Sequence, residues 1–148
     1  MTSNDSAAKS PAAKDKRRLL STLWVFLVLN FLYADIFTLV FDPAARTQTP
    51  DLSPGAVLFF AVIMETAMFM VLLSRVLPDR WNRWANIGAA ILHIAVLSWS
   101  LTGSDVTSFY AFFVAVEIAT LLFVIGYAWS WRRQWATRPL EVARAAAE

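Results

Sequence analysis

Residues 106–129 read VTSFYAFFVAVEIATLLFVIGYAW, and Glu117 is the only charged residue among these 24 positions. At about 1.5 Å of rise per residue, a run of this length crosses the hydrocarbon core of a bilayer as one helix. No polar stripe divides its apolar character, which is typical of a helix surrounded by lipid and by other helices. The segment therefore predicts a membrane-spanning helix.

Three similar segments precede it, at about residues 20–41, 55–77 and 85–101. Together the four segments predict an all-α fold, a transmembrane four-helix bundle that occupies residues 19–131. A basic, disordered N-terminal arm is expected over residues 1–18, and a basic tail over residues 132–148.

The composition supports this class of protein. Of the 148 residues, 58% are hydrophobic and 16% are charged, whereas soluble domains average about 45–50% and about 25%. Only 11 of the 24 charged residues lie within 19–131, too few to cover the surface of a soluble fold. A water-soluble domain, a disordered chain and a nucleic-acid-binding module are therefore excluded. The absence of cysteine excludes disulfides, thiolate catalysis and cysteine-bound metals.

The basic residues predict the orientation. Twelve of the 13 Lys and Arg residues lie in the N-terminal arm, around the second connection or in the C-terminal segment, and only Arg46 lies on the other side. By the positive-inside rule, both termini are expected in the cytoplasm. Most of the tryptophans are predicted to anchor the same interface, and these are Trp24, Trp81, Trp84, Trp129, Trp131 and Trp135.

Each predicted span carries one ionisable side chain in its apolar part: Asp35, Glu65, His93 and Glu117. Because a charged group at the bilayer centre costs about 2.5–3.5 kcal/mol, such groups usually face the interior of a bundle. We therefore expect the four to line one polar pocket that opens toward the outer leaflet. Four further polar residues are candidates to extend it, namely Asn30, Tyr33, Asn86 and Tyr110.

Three functional hypotheses follow from this acidic set. The first is a protein without enzymatic activity that binds or transports a proton, a cation or a small amphipathic ligand. The second is a membrane enzyme that uses carboxylate acid–base chemistry on a lipid-like substrate. The third is an accessory subunit of a larger membrane complex, or a homo-oligomer, that packs through a ridge of Ala111, Ala115 and Ala119. A purely structural role, in which the polar groups hydrogen-bond the helices together, is the alternative to all three.

We expect no metal and no cofactor. The Glu-x-x-His pairing of di-iron bundles is missing, and His93 is the only histidine, so two histidines cannot ligate a haem. The expected partners are the lipid bilayer and a membrane protein or second copy, with no nucleic acid.

Three stretches resemble a family of small four-span bacterial membrane proteins that is described only as a domain of unknown function. They are LSTLWVFLVLNFLYAD, LLSRVLPDRWNRWANI and YAFFVAVEIATLLFVIGYAWSW, within residues 20–131. The likeness rests on a few positions: Leu23-Trp24, Tyr33, Asp35, Asn82-Arg83, Asn86-Ile87, Tyr110, Glu117 and Ala128-Trp129. The resemblance implies a four-helix membrane bundle and draws attention to Asp35 and Glu117, but it implies no activity. We expect the protein to lie in the bacterial inner membrane.

Overall fold

The computed structural model of the protein describes residues 11–42, 53–102 and 106–130. These residues form four helices and, within the described ranges, no strand. The helices are α1 (Pro11–Phe41), α2 (Pro54–Val76), α3 (Asp79–Ser100) and α4 (Ser108–Ser130). The predicted all-α four-helix fold is confirmed. The first ten residues of the expected arm and the expected tail at 132–148 lie outside the described residues.

The first helix begins earlier than expected. Residues 11–18, which we assigned to a disordered arm, form the first turns of α1. Proline is favoured at the first helical position, and alanine, lysine and arginine are strong helix formers. Local propensity therefore continues the helix beyond the apolar segment, and α1 is about 46 Å long at 1.5 Å per residue.

The connection between α2 and α3 is shorter than expected. Helix α2 ends at Val76, Leu77 and Pro78 are extended, and α3 begins at Asp79 instead of near residue 85. A proline disfavours helical geometry in the residue before it, and its own φ suits the entry to a new helix. As a result, residues 79–84 lie on α3 with their basic and aromatic side chains.

Three of the described helices, α1, α2 and α4, are long and apolar enough to cross a membrane, which indicates a membrane protein. We predicted four apolar spans, and three of the described helices meet the length and hydropathy expected of one. Helix α3 has 22 residues and a length of about 33 Å. However, its first turns carry Asp79, Arg80 and Arg83, and Asn86 and His93 interrupt its apolar run.

The helices pack in a ring in which α1 contacts α2 and α4, while α3 also contacts α2 and α4. The side chains of the apolar core come from all four helices, and the main ones are Leu20, Trp24, Leu27, Phe31, Ala67, Met70, Ala90, Leu97, Val114, Leu121 and Val124. On each helix successive members are three, four or seven residues apart, the spacing of a single helical face.

Contacts between helices define two ends of this bundle. At the first, which we call the basic end, the N-terminal turns of α1 and α3 meet the C-terminal turns of α2 and α4. There Arg17 of α1 bonds to Asp79 of α3. At the opposite end, Phe37 of α1 contacts Phe113 of α4, and Tyr110 of α4 bonds to Ser100 of α3.

Candidate functional site

Glu117 is the most deeply buried carboxyl group that the structure describes. It lies on the core-facing side of α4 between Val114 and Leu121, and its side chain is only 1% exposed. No hydrogen-bond partner for its Oε1 atom is found among the described residues. An ionised carboxylate in such a place costs several kcal/mol, so the group requires a proton or a positively charged partner.

Asp35 is the acidic side chain of α1 that borders the core on the side of α4. It is about 40° around α1 from the buried Phe31, at 100° per residue, so it borders the core, although it is itself exposed. Helix α1 packs against α4 on this side of the bundle, where Phe37 contacts Phe113. A negative charge on Asp35 would therefore oppose a negative charge on Glu117. Two carboxylates that repel each other in a poorly solvated place favour a shared proton or an intervening cation.

Glu65 does not join this pair, contrary to our expectation that all four ionisable groups face inward. It lies about 160° around α2 from the buried Ile63, and it is exposed. The core-facing positions of α2 are Ile63, Ala67, Met70 and Ser74. Because α2 is apolar on every side, its sequence contains no stripe that would distinguish its core face from its outer face.

His93 is buried, as expected, but among rings. Its imidazole stacks on Phe31 with centroids 5.4 Å apart and meets Trp24 edge-on at 5.7 Å. Its Nε2 atom is 3.0 Å from the hydroxyl of Thr66. His93 therefore joins α1, α2 and α3 through packing and one hydrogen bond, in agreement with the structural alternative for this residue.

Asn86 is at the centre of a buried polar cluster. Its Oδ1 atom accepts from the indole Nε1 of Trp24 at 2.7 Å and from the hydroxyl of Ser74 at 3.2 Å. Its amide donates to the backbone and side-chain oxygens of Asn82 at 2.8 and 2.6 Å, and Asn82 donates to the backbone carbonyl of Ser74 at 2.6 Å. We call Trp24, Ser74, Asn82 and Asn86 the asparagine cluster.

The position of Trp24 corrects the expectation that it anchors the membrane interface, because its side chain is fully buried. The spacing of Leu20, Trp24, Leu27 and Phe31 already contained this information, since steps of four, three and four residues place all of them on one face. Ser74, which sequence reasoning missed, and Asn82, which it named only for the family resemblance, are on the core faces of their helices.

Hydrogen bonds continue from the asparagine cluster to the basic end. Ser21 donates to the carbonyl of Val71 at 2.8 Å and accepts from Nε of Arg75 at 2.9 Å. Arg17 donates to Asp79 at 2.6 and 3.2 Å and to the carbonyl of Arg75 at 3.3 Å. The basic end is therefore tied together by side chains from α1, α2 and α3.

The remaining candidates make no hydrogen bond to Glu117 within the described residues. Asn30 donates to the carbonyl of Phe26 in its own helix at 3.1 Å, and Tyr33 is exposed. The hydroxyl of Tyr110 donates to that of Ser100 at 2.9 Å near the opposite end. In the part of the chain that the structure describes, no three His, Asp or Glu side chains converge as metal ligands.

Comparison with known proteins gives one match. The family DUF6326, described as a family of unknown function, matches residues 11–137. No curated protein and no solved structure matches the chain significantly.

Proposed function

The chain belongs to DUF6326, a family of unknown function, and we propose that it is a membrane protein that binds a proton or a cation at Glu117. The observation that carries this proposal is the buried Oε1 atom of Glu117, which has no hydrogen-bond partner among the described residues. A carboxyl used only to join helices would instead bond to a neighbouring side chain, as Asn86 does.

Asp35 supports a positively charged occupant. Its carboxyl is exposed on a helix that packs against α4, so a proton or cation near both groups would relieve the repulsion between two ionised carboxylates. Asp35 is the more accessible of the two and would meet an arriving cation first. A small amphipathic ligand with a cationic group has the same charge and fits the same proposal.

The first experiment compares Glu117→Gln with Glu65→Gln in the purified protein. Both substitutions replace a carboxyl in the middle of a helix by an amide, but only Glu117 is buried. Infrared difference spectra across a pH titration are expected to show the carbonyl band of a buried carboxylic acid. This band should disappear in Glu117→Gln and remain in Glu65→Gln.

Equilibrium dialysis with tetraphenylphosphonium, a lipophilic organic cation, is the second experiment. The wild type and Glu65→Gln should bind the probe equally, Asp35→Asn should bind it more weakly, and Glu117→Gln should not bind it. If the infrared carbonyl band disappears in Glu117→Gln but neither the wild type nor any variant binds the cation, the occupant is a proton. Equal results for Glu117→Gln and the wild type in both experiments refute the proposal. Unfolding of Glu117→Gln would instead favour a structural role.

We further propose that this membrane is the bacterial inner membrane and that both termini are cytoplasmic. The contacts of Arg17 with Asp79 and with the Arg75 carbonyl support the orientation. They place Arg17 of α1 and Arg75 of α2 at the end where α3 begins, and α3 carries two more arginines in its first turns, Arg80 and Arg83. Helix α3 would then cross with the others, since it contacts α2 and α4. The chain has no cysteine, so single cysteines introduced by Ser3→Cys and Thr47→Cys can be labelled in intact cells. Only Thr47→Cys should react with an impermeant maleimide.

Association with another membrane protein or a second copy is a second candidate. Ala111, Ala115 and Ala119 are all exposed on one face of α4, and small residues at this spacing allow close approach of a second helix. Ala115→Phe should abolish the association without unfolding the bundle, measured by the mass of the complex in mild detergent. A wild-type protein that is monomeric and has no partner would contradict this candidate.

A further inference from the structure

Arg83 contacts two indole rings at the basic end. Its guanidinium carbon is 5.0 Å from the ring centroid of Trp84 on α3 and 5.0 Å from that of Trp129 on α4. Stacking on aromatic faces attracts the cation and holds its plane, while the N–H groups at its edge stay available for an acceptor. Arg83 is therefore held in one place by two helices.

The guanidinium of Arg83 lacks an acceptor within the described residues. Its Nε atom is buried and has no hydrogen-bond partner there. By contrast, Arg17 donates to Asp79 and Arg75 donates to Ser21. Arg83 is partly exposed, so the outer N–H groups of its guanidinium can donate to an acceptor from another molecule.

The surroundings of Arg83 specify the chemistry of that acceptor. Arg80 precedes Arg83 by one turn and is exposed, so two positive charges share one side of α3. The nearby carboxylate of Asp79 is occupied by Arg17. The indoles of Trp81, Trp84 and Trp129 are 67%, 54% and 49% exposed. Exposed tryptophans beside unpaired arginines at the end of apolar helices are typical of the headgroup layer of a membrane.

We propose that Arg83, held by Trp84 and Trp129 and assisted by Arg80, binds the phosphate of an anionic phospholipid headgroup. A planar guanidinium donates two parallel hydrogen bonds to phosphate oxygens, which an ammonium group does not reproduce. The exposed indoles would contact the glycerol and upper acyl region of the same lipid. This site is separate from Glu117, and its test does not depend on the proposed function.

Native mass spectrometry of the full chain in detergent, titrated with phosphatidylglycerol, tests the proposal. Arg83→Gln removes both proposed hydrogen bonds and should weaken the first binding event by at least about tenfold, since each charge-assisted hydrogen bond is worth about that factor or more. The matched control is Arg18→Gln, which removes the same charge from an exposed position at the basic end and should change binding by less than about twofold. Arg83→Lys keeps the charge and should still lose most of the affinity.

Several outcomes would overturn the proposal. Equal binding of phosphatidylcholine and phosphatidylglycerol would show that the negative charge of the lipid is not recognised. An equal loss in Arg18→Gln and Arg83→Gln would show diffuse attraction to the whole basic end. Competition by inorganic phosphate at concentrations comparable to the lipid would indicate a site for a small anion. If Arg83→Gln does not fold, full affinity in Arg83→Lys would still refute recognition by the planar guanidinium.

Discussion

Replacing Asn86 by leucine should destabilise the bundle by about 2–3 kcal/mol, because Asn86 is the centre of the asparagine cluster. The change removes the acceptor of the buried Trp24 indole N–H, 2.7 Å away, and the donor to two oxygens of Asn82. A buried donor without a partner costs about 1–3 kcal/mol, whereas a single hydrogen bond between membrane helices averages about 0.6 kcal/mol. Ser74 contributes less, since its hydroxyl can turn to a carbonyl of its own helix.

Unfolding in mixed micelles with increasing sodium dodecyl sulfate, followed by circular dichroism, measures this free energy. The matched control is Tyr110→Phe, which removes the single hydrogen bond to Ser100 near the opposite end. This control should cost no more than about 0.6 kcal/mol. A double-mutant cycle adds Trp24→Phe, which removes the orphaned indole N–H.

In that cycle, the double variant Trp24→Phe with Asn86→Leu should cost about 1 kcal/mol less than the sum of the two single variants. The reason is that Asn86→Leu alone leaves the indole N–H of Trp24 without an acceptor, whereas the double variant no longer contains that N–H. A cost below about 0.6 kcal/mol for Asn86→Leu, equal to that of a single bond, would refute the reasoning. Strict additivity in the cycle would refute the assignment of the loss to Trp24.

Three further predictions concern single positions. Arg17→Ala should lower the free energy of unfolding by about 1 kcal/mol, since it removes the 2.6 Å ion pair with Asp79; no change in the same assay would contradict this. Glu65→Leu should raise the free energy of unfolding in bicelles by about 1–3 kcal/mol, because it removes an exposed carboxyl; a decrease would indicate that Glu65 has a partner in another chain. His93→Phe should change stability by less than about 1.5 kcal/mol, because the stacking is retained and Thr66 also donates to a backbone carbonyl. Collapse of the bundle in this last variant would refute the packing role.

The existence of the helices could be predicted from the sequence because each apolar run is long and is bounded by charges or prolines. Their ends could not be placed as well, since propensity and packing act beyond the apolar run. Pro11 and the basic residues after it extend α1, and Pro78 allows α3 to begin at once. Because α3 begins at Asp79, it includes the polar residues 79–84, and it is therefore less apolar than the other three helices.

The candidate site could be predicted only in part, because an apolar helix does not indicate which of its faces is inside. Glu117 is buried as expected, whereas Glu65, at a similar depth in α2, is exposed. The pairing of Asn86 with Trp24 depends on how two distant segments meet across the bundle. No spacing within one helix contains that information.

The asparagine cluster and the Arg17–Asp79 pair also have a mechanical consequence. They fasten three helices at the basic end, whereas at the opposite end the described contacts are ring contacts and one hydroxyl pair. When a helix is held at one end and its tilt changes, the opposite end moves furthest. Over about 33 Å, the length of α3, a tilt of about 2° displaces the free end by about 1 Å. Small rotations about the basic end would therefore be enough to widen the opposite end of the bundle.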